Sequence, residues 1–178
     1  MTRVGPEAYE RCVRTSWRAL KRLGVPDASV PDAVQDVLLV MHRRRDEFRG
    51  EASPHTWLYG IILRVASNHR RRERHARARG SAADATAVLE CVASQAPSPL
   101  DEVVRIEAKR LLHALLAAMQ TSLREVFVLV ELEGLTLPEA AALLAESEAT
   151  CKSRLRSARR AFNLGVTRAR ARDEWRLG

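Results

Sequence analysis

The sequence predicts an all-α protein built from two small helical domains joined by a flexible linker. Three observations lead there. Apolar residues recur at intervals of three and four along most of the chain, the period of an amphipathic helix. Aromatic residues make up only 4% of the 178 residues, while Ala and Leu are abundant, which favours helices over a β sandwich. Residues 81–102 break the pattern: they hold no Lys or Arg, carry Asp84, Glu90, Asp101 and Glu102, and are rich in Ala, Ser and Pro.

The elements follow in order. Tyr9, Val13, Trp17, Leu20 and Leu23 mark a first helix that stops near Gly24-Val25-Pro26. A second starts at Pro31 and carries Val34, Val37, Leu38 and Met41 to about Phe48, before Gly50. Ser53-Pro54 reads as an N-cap and first-turn proline for a third helix, which ends in the basic run 70–74. A short helix over 86–93 is only weakly signalled inside the linker. The second domain opens at Ser98-Pro99, with Asp101 at the capping-box position, and its first helix covers 103–119. Ser122 with Glu125, and Thr136 with Glu139, read as two further capping boxes. A last helix is expected over 148–164, followed by a basic tail that frays. The predicted domains are therefore 1–80, a linker over 81–100, a second domain over 101–165 and a tail over 166–178.

Net charge is +8 and the isoelectric point about 10.4, the electrostatic footprint of a nucleic-acid partner. A basic ribosome-associated or membrane-surface protein would share that charge. Arg supplies 27 of the 30 basic residues; a GC-rich coding sequence accounts for most of that bias. Cys12, Cys91 and Cys151 are odd in number and widely spaced, which argues against a disulfide framework and fits a reducing cytoplasm. Neither they nor the five His residues show metal-ligand spacing, so no metal or cofactor is expected. The first 17 residues hold no apolar signal core, and no stretch approaches 18 apolar residues. The expectation is a cytoplasmic protein with no membrane insertion.

Residues 137–160 carry the sharpest local signal. A short capped helix, a tight turn and a basic amphipathic helix suggest a helix-turn-helix. In the second helix Cys151, Leu155, Ala158 and Phe162 recur at four, three and four and face a core. Lys152, Ser153, Arg156, Ser157, Arg159 and Arg160 are left for the exposed faces, where Arg and Lys can reach guanine edges and phosphates. A basic helix on the outside of a small bundle would show the same pattern.

The stretches LREVFVLVELEGLT (123–136), PEAAALL (138–144) and TCKSRLRSAR (150–159) resemble region 4 of the extracytoplasmic-function (ECF) sigma factors. The resemblance implies that the last of these helices reads the minus-35 promoter element. Lys152, Ser153, Arg156 and Ser157 would then face bases, and Arg154, Arg159 and Arg160 mainly phosphates. The sequence departs from the family at the turn. Ala145 stands where Gly is frequent, and a non-Gly residue at positive φ costs about 1 kcal/mol or more. Glu146 stands where an apolar residue is frequent, and Cys151 where Val is.

The N-terminal half resembles the same family. DAVQDVLLVMHRRRDEF (32–48) is similar to region 2.2, and TWLYGIILRVASNHRRR (56–72) to regions 2.3 and 2.4. Asp32 and Asp36 lie at i and i+4 with Gln35 beside them; by themselves these residues read as capping and solubility. The resemblance implies that this face docks on the clamp helices of core RNA polymerase. It also implies that Trp57, Arg64, Asn68, Arg71 and Arg72 meet and melt the minus-10 element, although Trp57 reads equally as a core aromatic. Pro54, Arg64 and Asn68 depart from the family's frequent residues. The acidic linker would thread near the polymerase active-site channel.

The function implied is a non-catalytic ECF-type sigma factor that takes core polymerase to promoter DNA and assists melting, with an anti-sigma protein expected by analogy. The alternative is a stand-alone helix-turn-helix regulator. Its N-terminal half should resemble a receiver or ligand domain, whereas residues 1–80 read as helical and basic, with 17 Lys and Arg against 9 Asp and Glu. A nucleic-acid enzyme is disfavoured, since no Walker loop, zinc signature or nuclease-type acid pair occurs.

Overall fold

The structure, a computed structural model, describes residues 6–45, 48, 50, 53–80 and 99–177. The chain divides into two compact units, residues 1–88 and 89–178, and every regular element among the described residues is helical. The expected linker, its short helix over 86–93 and the cap at Ser98 fall outside the described residues, as does the side chain of Asp101.

In the first unit three helices, α1 (Pro6–Arg22), α2 (Val30–Arg43) and α3 (Pro54–Ala78), pack against one another. Gly24 ends the first of them. At φ 82° its N–H reaches the Lys21 carbonyl at 3.0 Å, and the Val25 N–H reaches that of Leu20 at 3.0 Å. This is a Schellman cap, and buried Val25 and Leu20 supply the apolar contact that goes with it. A single 3-10 turn, Asp27–Ser29, leads into α2, where Pro31 occupies the first turn. Its buried residues Val30, Ala33, Val34 and Val37 form an i, i+3, i+4, i+7 stripe. The helix ends at Arg43, earlier than the apolar pattern suggested, because the stripe gives way to consecutive arginines.

The cap of α3 is the expected one: the Ser53 hydroxyl accepts the Thr56 N–H at 3.0 Å. Leu58, Tyr59, Ile61, Ile62, Val65 and Ala66 bury its inner face. Two polar ties accompany this packing. Arg70 donates to the Leu23 carbonyl at 2.7 Å, so this member of the basic run points inward. His69 is buried, and its Nε2 lies 2.8 Å from Asp36 Oδ2 on α2. Asp36 thereby supplies the polar partner that a buried imidazole requires.

The second unit contains α4 (Pro99–Ala118), α5 (Thr121–Phe127) with a π-helical continuation over Val128–Leu132, α6 (Leu137–Leu144) and α7 (Glu148–Leu177). The expected capping box at Ser122 does not form. The helix starts two residues earlier, at Thr121, and its N-cap, Gln120, makes no side-chain capping bond. The box at Thr136 does form: Glu139 accepts the Thr136 N–H at 2.9 Å, and the Thr136 hydroxyl accepts the Glu139 N–H. The turn after α6 places Ala145 at φ 53°, ψ 41°.

The last helix corrects the sequence reading. It does not fray after residue 164 but runs to Leu177. Gly165 and Ala169 extend the stripe of Cys151, Leu155, Ala158 and Phe162, so the interval of four and three continues. A Cβ at Gly165 would overlap the tip of the Leu115 side chain on α4, so the missing side chain leaves room for that leucine in its present position. Phe162 stacks on Phe127 of α5 at 5.0 Å between centroids.

Three outcomes are expected in denaturant unfolding. Ser16 is 0% exposed and its hydroxyl has no hydrogen-bond partner among the described residues, so Ser16→Ala should unfold at equal or higher denaturant than the parent. Asp36→Ala should cost about 1 kcal/mol by orphaning buried His69, whereas exposed Asp32→Ala should stay within about 0.5 kcal/mol. Ala145→Gly should add about 0.5–1 kcal/mol by removing left-handed strain; an unchanged midpoint would show that the turn carries none.

Candidate nucleic-acid interfaces

In the first unit the candidate residues of α3 share one face. Trp57, Arg64, Asn68 and Arg71 succeed one another at seven, four and three, and Arg72 borders them. Arg64, Arg71 and Arg72 are exposed, while Asn68 is half-buried and its side-chain oxygen faces an Arg71 N–H at 3.4 Å. Trp57 is neither core nor free surface. It is half-buried, with its ring edge-to-face on Phe48 at 5.5 Å. An indole so held offers part of a π face beside a cationic row, an arrangement suited to an unpaired base and its phosphate.

On α2, Asp32 and Gln35 are exposed and Asp36 is half-buried. The sequence reading grouped all three. The structure separates Asp36 from the others through His69 and a longer approach, 3.9 Å, from Arg72. It also adds Leu39, 52% exposed, which reasoning from motifs missed. A helical wheel would have found it, because the stripe at 30, 33, 34 and 37 leaves position 39 outside the core.

In the second unit the helix-turn-helix is formed by α6, the Ala145 turn and α7. The Ser147 hydroxyl caps α7, accepting the Thr150 N–H at 3.1 Å. Cys151, Leu155 and Ala158 are buried as expected, which turns Lys152, Ser153, Arg156, Ser157 and Arg160 to the exposed side. Two arginines have partners inside the unit. Arg154 lies 2.9 Å from Glu146 in the turn, and Arg159 donates to one carboxylate oxygen of Glu131 through Nε at 2.9 Å and Nη2 at 2.6 Å. No linear spacing announces either pair, since Glu131 and Arg159 stand 28 residues apart.

The thiol of Cys151 is pushed above its ordinary pKa by burial; Arg154 opposes that shift and Glu146 adds to it. Cys12 is likewise raised by burial, against a lowering pull from Arg11. Neither environment activates a thiolate. Among the described residues no group of three or more His, Cys, Asp or Glu could hold a metal ion, and no helix is long and apolar enough to cross a membrane.

Comparison with known proteins agrees with this geometry. The profile of Sigma-70 region 2 matches residues 8–76, and that of Sigma-70, region 4, matches residues 109–162. The ECF RNA polymerase sigma-E factor of Escherichia coli K12 is 29% identical over 146 residues, covering 78% of this chain and 74% of its own. The ECF sigma factor SigM of Mycobacterium tuberculosis is 28% identical over 156 residues, covering 85% of this chain and 74% of its own. Among solved structures, sigma factor RpoE of Bartonella quintana, crystallised with the anti-sigma factor NepR, superposes with a TM-score of 0.68 at 19% identity, covering 90% of this chain and 95% of that one. CnrH, solved with the cytosolic domain of CnrY, gives 0.62 at 23% identity, covering 92% and 90%. These two likenesses speak for the fold. The two profile matches together cover most of the chain and both of its units, and the chain belongs to the sigma-70 family, in its ECF group.

Proposed function

We propose that the chain acts as an ECF-type sigma factor whose two units divide the work of promoter recognition. The observation that carries this reading is the presence of both sigma regions in one chain, each with an exposed basic helix face. A stand-alone regulator would need only the second. The role is not catalytic: the protein supplies specificity, and the polymerase supplies the chemistry.

In this reading Asp32, Gln35 and Asp36 form the acidic face of α2 that meets the polymerase clamp, with exposed Leu39 adding an apolar contact. The row Trp57, Arg64, Asn68, Arg71 and Arg72 meets the minus-10 element. Cationic side chains hold the backbone while the half-buried indole favours the unstacked state of a base. Unstacking a base costs a few kcal/mol, so a positioned aromatic and several phosphate contacts are of the right size to offset it. In the second unit α7 enters the major groove at the minus-35 element. Lys152, Ser153, Arg156 and Ser157 face base edges, and Arg160 faces phosphates, while Arg159 and Arg154 flank them from their carboxylate partners. The work is done in the cytoplasm, where the polymerase is. The solved complex of RpoE with the anti-sigma factor NepR makes such a protein a partner to look for here.

The test is run-off transcription. Sigma-free core polymerase plus this chain should initiate from a discrete subset of genomic fragments, and failure to bind core at all would sink the reading. Lys152→Ala and Arg156→Ala should each weaken minus-35-dependent initiation by about 1–3 kcal/mol, or roughly 5- to 150-fold, with core binding unchanged. Loss of core binding in either variant would contradict the proposed division of labour.

A further inference from the structure

The turn of the helix-turn-helix holds a feature that DNA reading alone does not require. Glu146 occupies the second position past the end of α6, where its N–H bonds back to the Ala141 carbonyl at 3.0 Å in a Schellman cap. That position usually carries an apolar side chain packed on the helix it closes. Here the side chain turns the other way and meets the Arg154 guanidinium at 2.9 Å. Both groups are sheltered: the Glu146 side chain is 34% exposed and that of Arg154 30%, against 57% for Arg159. The other cations of its first four turns, Lys152, Arg156 and Arg160, are exposed. Arg159 also has a carboxylate partner, Glu131, but stays more exposed; Arg154 is set apart by being both paired and sheltered.

We propose that Glu146 is a positioning residue that keeps Arg154 off the phosphate backbone, so that the second unit binds DNA with one backbone contact fewer than its basic residues could make. The proposal rests on the reading of α7 as the helix that meets duplex promoter DNA. Its physical basis is competition. A phosphate reaching Arg154 must displace a carboxylate already in place, and that carboxylate then stands as a like charge beside the phosphate. Phosphate contacts carry affinity but no sequence information. Suppressing one therefore lowers attachment to promoter and non-promoter DNA alike and leaves base readout by Lys152 and Arg156 untouched.

The experiment uses holoenzyme assembled from the full chain and core polymerase, on a promoter duplex recovered by run-off selection. Binding is measured by competition between about 50 and 200 mM salt. The wild type, Glu146→Gln, Arg154→Ala and the double variant are compared. If Arg154 is restrained, Glu146→Gln steepens the slope of log K against log salt by about 0.9 and tightens binding at low salt about threefold or more. Arg154→Ala alone leaves the slope where it was, and in the double variant the gain disappears. An unchanged slope in Glu146→Gln overturns the proposal. So does a flatter slope in Arg154→Ala alone, because Arg154 would then already rest on a phosphate. A gain that survives in the double variant also overturns it, by showing that Glu146 acts through its own charge. A purely structural ion pair would shift the melting temperature of these variants without moving the slope. Wild-type holoenzyme that binds no promoter would overturn the sigma reading itself, an outcome distinct from all of these.

Discussion

The DNA-facing half of the molecule depends on one continuous apolar stripe along α7. Cys151, Leu155, Ala158, Phe162, Gly165 and Ala169 follow one another at intervals of four and three. Burying that stripe fixes the rotation of the helix about its axis, and the rotation decides which residues water or DNA can reach. Cys151 and Ala158 are fully buried, so Lys152, Ser153, Arg156 and Ser157 have no choice but to face outward. The long lever beyond the helix-turn-helix serves the same end. Gly165 lets Leu115 of α4 come close, and Phe162 lies on Phe127, which anchors the helix well past its reading segment.

A second constraint acts on charge. The basic helix faces carry acids built against them: Asp36 beside His69 and Arg72, Glu131 on Arg159, and Glu146 on Arg154. The two partly exposed arginine–glutamate pairs contribute little to stability, about 0–1 kcal/mol each. Their consequence for DNA binding is larger. Each phosphate contact enters the salt dependence of affinity almost as a whole ion, so withholding one changes affinity severalfold over the physiological range. The same ion pair is thus nearly neutral for folding and significant for binding.

The fold was legible where periodicity carried it, as with the caps at Ser53 and Thr136, the stop at Gly24 and the inward stripes of α2 and α7. It was illegible where a small residue did the packing. Gly165 adds no apolar side chain to the pattern, so the helix is expected to end near Leu164, and sequence alone does not show that the missing Cβ leaves room for the Leu115 side chain. The capping box at Ser122 misled because the helix starts at Thr121 and leaves the serine inside the first turn. Of the candidate site, the exposed row on α7 could be read from the helical period, and Ala145 at positive φ from its place after α6. The ion pairs could not be read, since they join residues on different elements. Arg154 and Arg159 looked equivalent to Arg160 in one dimension, and Asp36 looked equivalent to Asp32. Only the packing of α2 on α3 gives Asp36 an inward partner.

In the proposed role the chain makes two contacts with promoter DNA, one through each sigma region. Tethering both units to one polymerase turns the second contact into an intramolecular event, so their free energies combine without either being large. Under that condition surplus phosphate affinity in the second unit is a liability. It strengthens attachment at every position along the DNA, and non-promoter sites vastly outnumber promoters. What polymerase recruitment requires of α7 is a favourable difference between sequences, the role proposed above for exposed Lys152 and Arg156, on a background kept low. An acid in the turn meets that requirement without disturbing the stripe that orients the helix, because Glu146 lies outside the buried core and reaches Arg154 from the flank.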